Sequence, residues 1–364
     1  MTTWSDLLRP ELGELSSYAP ADPEGATVRL DANEAPGPSG PLVRQAVARA
    51  MMKTALERYP DARMRELRTR IAERTGARAD EILVGTGSDE VISILLTALG
   101  RARPGAGQPV VLMPTPTFVM YRVTSRVHGF KPVEVPLDAS WDLDSAAMVR
   151  ACELLPPNIV FVASPNNPTG NRMSEERIHD VLSAAPRSLV VVDEAYIDYA
   201  GPSLRTLRTR FPNLAILRTL SKVGLAALRI GWLEADARLV HELDKARQPF
   251  NVSATSQAAA SAVLSEAWAE VQAQVAMVVG ERERLAGELR RLPGVDVTPS
   301  QANFLWVGTA RPASEVVERL RERGVLVRSF HASGGRLARR LRVTIGAPAD
   351  NARFLDAFEE ALSA

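Results

Sequence analysis

The sequence has few residues that could form covalent cross-links or bind a metal ion. Cys152 is the single cysteine among 364 residues, so an intrachain disulfide is impossible and we expect a buried, inert thiol. Only four histidines occur, and their scattered positions lack the spacing of zinc ligands. The sequence therefore predicts no metal site.

Neither an excess of charge nor a long apolar run is present. Basic and acidic side chains number 44 and 43, which leaves no overall field to attract nucleic acid or an anionic membrane. No stretch is apolar over the length of a membrane span, and the first residues lack the pattern of a secretion signal. We expect a cytoplasmic protein whose partners are small molecules and another subunit.

The chain does contain a regular alternation of short apolar runs and amphipathic stretches. Hydrophobic residues make up 46% of it, enough for one large core and a smaller one. Amphipathic stretches such as 174–185 and 236–247 are typical of crossover helices. The pattern predicts an α/β fold with a mostly parallel sheet flanked by helices. Runs typical of strands buried on both faces fall at residues 82–84, 110–112, 159–162, 189–192 and 214–217.

The last third of the chain has a different character. Residues 255–292 are rich in alanine and poor in turn residues, which predicts long helices that link two domains. We place a large domain at residues 31–268, and a small α+β domain at residues 269–364 together with an irregular N-terminal arm, residues 1–30. The small domain is predicted to contain strands at 303–307, 325–328 and 341–345 and a helix at 313–323.

A glycine-containing turn, residues 85–90 (Gly-Thr-Gly-Ser-Asp-Glu), follows the predicted strand at residues 82–84 and precedes an apolar helix. Such a turn presents free backbone N–H groups and the positive end of the helix dipole, which suits a phosphate. A dinucleotide-binding motif would need a third glycine in place of Glu90. Taken alone, the segment is equally typical of an ordinary strand-to-helix turn.

Polar side chains also follow two buried strands, at the sheet edge where open α/β folds bind ligands. Residues 164–170 (Ser-Pro-Asn-Asn-Pro-Thr-Gly) form a rigid turn that can aim Asn167, although a plain loop is the alternative. Asp193 and Glu194 end the most apolar strand, and a buried carboxylate needs a partner. A protonated pyridine nitrogen would suit Asp193, whereas backbone N–H groups are sufficient for Glu194.

Lys222 directly follows the last of the five apolar strands, among small and hydroxyl side chains. Removal from water disfavours a charged ammonium group and makes the amine nucleophilic, so such a lysine can form imines. Thr219, Ser221 and Arg229 are suited to bind a phosphate beside the amine. A lone lysine is usually a solvated charge, so this prediction depends on those neighbours.

These motifs, residues 164–170, 193–196 and 221–229 in this order, resemble the aspartate-aminotransferase-like (fold type I) pyridoxal-phosphate enzymes, and among them the histidinol-phosphate aminotransferase family. The resemblance implies transfer of an amino group from histidinol phosphate to 2-oxoglutarate, in histidine biosynthesis. It also implies pyridoxal 5'-phosphate as the cofactor and a homodimer. Further similar segments, which extend it over nearly the whole chain, are residues 30–34, 58–61, 116–121, 302–305 and 341–346.

The resemblance implies a role for each matching residue around the cofactor ring. Lys222 would hold the cofactor as a Schiff base, and Asp193 would pair with the ring nitrogen, which keeps the ring an electron sink. Tyr196 and Asn167 would bind the phenolic oxygen, and Phe118 would stack on the ring. We therefore expect Lys222, Asp193 and Tyr196 to be the catalytic residues.

Phosphate and substrate contacts are implied in the same way. Six residues separate Lys222 from Arg229, one fewer than is common in the family, which predicts a local rearrangement around the phosphate. Arg342 would bind a substrate carboxylate as a bidentate partner. The substrate phosphate would contact Arg328, Tyr18 and Asn33. The cofactor phosphate would contact Gly87, Ser88, Thr219, Ser221, Arg229, and Tyr59 of a second subunit.

Four other functions remain open at the level of the sequence. An aromatic amino-acid aminotransferase and a threonine-phosphate decarboxylase would use the same scaffold. A non-catalytic sensing domain of a regulator would need a DNA-binding module before the core, for which the proline-containing arm is too short. A nicotinamide-dependent dehydrogenase is suggested only by the glycine turn.

Overall fold

The computed structural model describes residues 4–15, 25–37 and 39–363, so that the predicted substrate residue Tyr18 lies outside the described residues. The strands are β1 (Val28–Leu30), β2 (Ile82–Thr86), β3 (Val110–Thr115), β4 (Lys131–Pro136), β5 (Ile159–Ala163), β6 (Leu189–Asp193), β7 (Leu214–Thr219), β8 (Ile230–Glu234), β9 (Asp296–Thr298), β10 (Phe304–Gly308), β11 (Val325–Ser329) and β12 (Arg340–Thr344). The α-helices are α1 (Pro41–Met52), α2 (Arg65–Thr75), α3 (Gly87–Ala98), α4 (Met120–Val127), α5 (Ser145–Leu154), α6 (Glu175–Ala184), α7 (Ala237–Asp244), α8 (Ala254–Ala262), α9 (Trp268–Leu289), α10 (Ala313–Glu322) and α11 (Pro348–Ser363).

Seven strands form the larger sheet, in the order β2-β8-β7-β6-β5-β3-β4. Strand β8 is antiparallel to both β2 and β7, and the other pairs are parallel. The predicted α/β class with a mostly parallel sheet is confirmed, as are all five strands predicted from apolar runs. Two strands were not predicted from the sequence: β4, an edge strand that contains two prolines and a glutamate, and β8, which contains Gly231 and Glu234.

Alternate residues of the central strands pack into separate hydrophobic cores on the two faces of this sheet. On β5, Ile159 and Phe161 belong to one core, and Val160 and Val162 belong to the other. Strands buried on both faces gain stability from every side chain, which explains their uninterrupted apolar runs. Cys152, on α5, lies in one of these cores, and burial raises its pKa to about 11.

A second sheet has the order β1-β11-β12-β10-β9. Strand β1 pairs in parallel with β11, and its residues Val28 and Leu30 are buried. The prediction that the whole N-terminal arm, residues 1–30, is irregular was therefore wrong for residues 28–30. Residues 254–289 are helical, as predicted, with a π-helical turn at Val263–Ala267 between α8 and α9. The division into domains stays a prediction. In the described part of the chain, no helix combines the length and the apolar character needed to cross a membrane.

A buried ion pair joins Glu194, directly after β6, to Arg218 on the neighbouring strand β7. Glu194 is fully buried, and its carboxylate accepts hydrogen bonds from Arg218 Nη2 at 2.9 Å and Nε at 3.1 Å. The Leu204 N–H and the Ser203 hydroxyl each donate at 2.7 Å. Glu194 is therefore satisfied within the protein, by a guanidinium as well as by the backbone N–H that the sequence analysis considered sufficient.

We expect Glu194→Ala to lower the free energy of unfolding by about 3 kcal/mol, because it leaves the mostly buried Arg218 without its main counter-ion. Urea denaturation followed by tryptophan fluorescence measures the loss. The control is Glu242→Ala, since Glu242 pairs with Lys245 at 2.6 Å on an exposed surface, where such pairs contribute little. Equal effects of the two variants would contradict the structural role of Glu194.

Candidate active site

Four neighbouring parallel strands, β3, β5, β6 and β7, end at the same edge of the larger sheet. Phe118 and Asn167 lie in the loops after β3 and β5. Asp193 is the last residue of β6, and Lys222 follows β7. The topology thus brings to one sheet edge four residues that are far apart in sequence, at the place where open α/β sheets bind ligands.

Asp193 carries a carboxylate that is largely removed from water. The side chain is 5% exposed; its Oδ2 accepts a hydrogen bond from the Tyr121 hydroxyl at 2.5 Å, and its Oδ1 accepts one from the Ala195 N–H at 2.9 Å. Burial raises the pKa of Asp193 to about 6, although these hydrogen bonds and the charge of Lys222 oppose the rise. No cationic side chain of the described ranges donates a hydrogen bond to it. The carboxylate is therefore suited to a cationic partner.

Tyr121 is a site residue to which the sequence analysis gave no role. It is fully buried on α4, stacks on Phe161 with ring centroids 4.7 Å apart, and meets Phe118 edge-on at 5.5 Å. A buried tyrosine hydroxyl needs a hydrogen-bond partner, which was the available signal. The partner, Asp193, is 72 residues away, so the sequence could not identify it.

Lys222 lies in the turn Ser221–Leu225, which follows β7 and in which Gly224 has φ of 89°. The Tyr199 hydroxyl donates a hydrogen bond to the backbone carbonyl of Lys222 at 2.6 Å, which fixes this turn from the adjacent loop. Lys222 is half-buried, and its Nζ lies 5.9 Å from the centroid of the Tyr196 ring. The structure thus places the amine near the Tyr196 ring. Tyr199 received no role from the sequence.

The N-terminus of α3 contacts the turn before β8 closely, because glycines occupy the contact positions. Gly87 has φ of 77°, its N–H donates to the Arg229 carbonyl at 2.8 Å, and a Cβ there would lie 2.6 Å from Arg229 Nη2. A Cβ on Gly231 would lie 2.3 Å from the Ser88 backbone nitrogen. The predicted phosphate-binding residues Gly87, Ser88 and Arg229 are therefore neighbours.

The hydroxyl groups of Thr219 and Ser221 complete this cluster. We call its five residues the phosphate cradle: Gly87, Ser88, Thr219, Ser221 and Arg229. The Thr219 and Ser221 hydroxyls lie 3.0 Å apart, and Arg229 Nη1 lies 3.3 Å from Ser221 Oγ. Arg229 adopts the left-handed conformation with φ of 53°, and it reaches Ser221 despite the short spacing from Lys222. Helix N–H groups, hydroxyls and a guanidinium in one place suit a phosphate.

Arg342 links the smaller sheet to this edge of the larger one. From β12, its Nη1 donates to Asn167 Oδ1 at 2.7 Å, and its Nη2 donates to the backbone carbonyl of Asp31. Arg328 lies opposite Arg342 in the register of β11 and β12, so the two side chains share one face. Arg328 is half-buried. Two adjacent guanidinium groups favour an anion between or beside them.

Asn33 contacts Tyr196 in the interior of the protein. It is 1% exposed, its Nδ2 donates to the Tyr196 hydroxyl oxygen at 2.9 Å, and its Oδ1 accepts from the Thr344 hydroxyl at 3.2 Å. Both ends of the amide are therefore bound to protein groups. This placement gives no support to the predicted contact between Asn33 and a substrate phosphate.

Two predicted cofactor residues lie toward the outside of the cluster. Phe118 is half-buried beside Tyr121. Tyr59 is 82% exposed and stacks on Phe250 with ring centroids 4.7 Å apart. The exposure of Tyr59 is compatible with the predicted contact between this side chain and the cofactor phosphate of a second subunit.

Comparisons with known proteins agree with this geometry. The family model described as aminotransferase class I and II matches residues 26–358. A histidinol-phosphate aminotransferase of Aquifex aeolicus is 36% identical over 356 residues, covering 98% of each chain. Histidinol-phosphate aminotransferase 1 of Burkholderia lata is 39% identical over 363 residues, covering 100% of this chain and 99% of its own. The solved structure of a histidinol-phosphate aminotransferase from Sinorhizobium meliloti in complex with pyridoxal-5'-phosphate has a TM-score of 0.87 and 25% identity, covering 98% of this chain and 97% of that one. Because the family model spans most of the sequence, this chain belongs to the aminotransferase class I and II family.

Proposed function

We propose that the chain is a pyridoxal-phosphate-dependent aminotransferase that transfers the amino group of histidinol phosphate to 2-oxoglutarate. The observation that carries the proposal is the buried carboxylate of Asp193, held by uncharged donors, with Lys222 nearby and the phosphate cradle beside that lysine. The full-length relatives named for this activity support the choice of substrate.

The residues of the site fit the functional groups of pyridoxal phosphate. Asp193 would pair with the protonated ring nitrogen, which supplies the cation that its environment lacks. Lys222 Nζ would bond to the aldehyde carbon, and the phosphate cradle would bind the phosphate. Tyr196 and Asn167 would hydrogen-bond the phenolic oxygen, and Phe118 would stack on the ring.

When bound, the cofactor would act as a sink for the electron pair left at the α-carbon of the amino donor. Once the amino donor has displaced it, Lys222 Nζ would remove the proton from that carbon and deliver it to the carbon to which Nζ had been bonded. Asp193, as an anion in a low-dielectric environment, would keep the ring nitrogen protonated. A 2-oxo acid would take up the amino group in the reverse sequence, which gives ping-pong kinetics.

The substrate would be held by its anionic groups. Arg342 would bind a carboxylate, such as that of 2-oxoglutarate, and Arg328 would bind the phosphate of histidinol phosphate. Guanidinium groups suit both anions because their paired N–H groups match the oxygen geometry. The two arginines share one face of the smaller sheet, so one substrate molecule can contact both.

The apolar surface of α1 and the loop after it supports a homodimer. Leu42 and Met52 on α1 are 54% and 79% exposed, and Leu56 and Tyr59 in the loop are 80% and 82% exposed. A group of large apolar side chains in water is costly and typically marks an interface. A twofold dimer would cover this surface and supply Tyr59 to the partner's phosphate cradle. A cytoplasmic location remains a prediction.

Lys222→Ala should abolish both turnover and the change in visible absorbance on addition of histidinol phosphate, because it removes the only amine proposed to bind the cofactor covalently. Borohydride reduction of the wild-type protein with bound cofactor, followed by peptide mass spectrometry, should label Lys222. The other three lysines, Lys53, Lys131 and Lys245, serve as internal controls. Turnover by the variant, or label on another lysine, would refute the assignment.

Asp193→Asn should weaken binding of pyridoxal phosphate yet stabilise the cofactor-free protein above pH 6, by about 3 kcal/mol. The folded-state pKa of Asp193, about 6, lies above the usual 3.8. The wild-type apoprotein therefore loses stability as the pH rises from about 4 to about 6, and the asparagine variant avoids this loss. Urea denaturation of both apoproteins at pH 4 and pH 8 measures it; a difference that does not depend on pH would contradict the account.

Arg328→Gln should lower kcat/KM for histidinol phosphate about 10- to 100-fold, since it removes a charged hydrogen-bond partner of the phosphate. Activity with histidinol, which lacks the phosphate, should change little.

The rates of the wild-type protein with phenylalanine and phosphothreonine, measured in the same assay, test the choice of histidinol phosphate as substrate. A faster reaction with either compound than with histidinol phosphate would replace the proposed substrate.

A further inference from the structure

We propose that Asn33 is a positioning residue that makes Tyr196 a hydrogen-bond donor toward the bound cofactor. The observation is the buried contact between the Asn33 amide nitrogen and the Tyr196 hydroxyl oxygen. The inference rests on the proposed function, because it concerns the group that Tyr196 would contact. It replaces the expected role of Asn33 as a ligand of the substrate phosphate.

The backbone around Asn33 is held firmly in place. Asn33 has φ of 56°, a conformation that asparagine tolerates better than most residues. Its N–H donates to Thr344 Oγ1 at 3.0 Å, and its carbonyl accepts from Asn303 Nδ2 at 2.9 Å. Both partners belong to the smaller sheet and the loop before it, so this segment is fixed from outside the site.

The hydrogen bonds around Asn33 indicate which way its amide faces. Thr344 Oγ1 already accepts the Asn33 N–H, so its own hydrogen is available to Asn33 Oδ1, 3.2 Å away. The NH2 group of the amide then faces Tyr196 Oη at 2.9 Å. An amide NH2 can only donate. The oxygen of Tyr196 is therefore the acceptor in this bond.

Tyr196 must direct its own hydrogen away from Asn33. Over the described ranges, the structure contains no acceptor for that hydrogen. The ring is 5% exposed, packs edge-on against Phe304 at 5.1 Å, and has Lys222 Nζ 5.9 Å from its centroid. A buried O–H without an acceptor is costly, so the hydroxyl is suited to a ligand beside Lys222, such as the phenolic oxygen of the cofactor.

The opposite amide orientation makes a different prediction. If the Asn33 carbonyl accepted the hydrogen of Tyr196, the phenolic oxygen would receive no hydrogen bond from Tyr196. A donor to that oxygen stabilises its negative charge and so weakens its hold on the proton shared with the Lys222 nitrogen. The pH at which the cofactor's visible absorbance titrates therefore reports which orientation exists.

The test is a pH titration of visible absorbance in the cofactor-loaded protein without substrate. Tyr196→Phe should raise the midpoint by about one pH unit, the equivalent of one lost hydrogen bond. Asn33→Asp should also raise it, because a carboxylate accepts the Tyr196 hydrogen and adds negative charge. The charge effect alone is measured by Asn33→Asp in the Tyr196→Phe background, where the rise should be smaller.

An unchanged midpoint in Tyr196→Phe would overturn the proposal, and so would equal effects of Asn33→Asp in the two backgrounds. If Asn33→Asp fails to fold by circular dichroism, Thr344→Val takes its place. That variant removes the hydroxyl that orients the amide, and it should raise the midpoint only when Tyr196 is present. A rise in both backgrounds would contradict the proposal. Failure of the proposed cofactor site gives a distinct result, since no visible band reducible by borohydride at Lys222 would form.

Discussion

The buried carboxylate of Asp193 is the constraint on which the site depends. Burial on β6 raises its pKa, and the Tyr121 hydroxyl and the Ala195 N–H only partly compensate for the lost water. Without a cationic ligand this arrangement destabilises the protein. With a protonated pyridine nitrogen, as proposed, it would become a strong interaction in a low-dielectric environment. Glu194, one residue later, shows the contrast, because Arg218 neutralises it within the fold.

The sheet explains why the remaining groups meet at Asp193. Parallel neighbours β5, β6 and β7 end at one edge, so Asn167, Asp193 and Lys222 converge although their separations in sequence are large. Because Gly87 and Gly231 have no side chain, the N-terminus of α3 can closely approach β8 and the turn before it. The smaller sheet contributes Arg342, which reaches Asn167. The geometry thus combines a buried carboxylate, an amine and a cluster of groups suited to a phosphate.

Much of this arrangement could be predicted from the sequence, because it depends on local patterns. Apolar runs identified β5, β6 and β7, and the motifs around Asn167, Asp193 and Lys222 identified the edge where they end. Strand β4 was missed because prolines and charges are tolerated at a sheet edge. The partners of Tyr121 and Asn33 were missed because Asp193 and Tyr196 are distant in sequence, and such pairs form only when the chain folds.

Burial of the Asp193 carboxylate without a cationic partner from the protein is the central feature of this account. A pH titration of that carboxyl group tests it most directly. Carbon-13 NMR of protein labelled in the aspartate side chains, with Asp193→Asn to assign the signal, follows the carboxyl group as the pH changes. The account predicts a midpoint of about 6 without cofactor and a clearly lower midpoint once pyridoxal phosphate is bound. A midpoint near 3.8 that does not change on binding would contradict it.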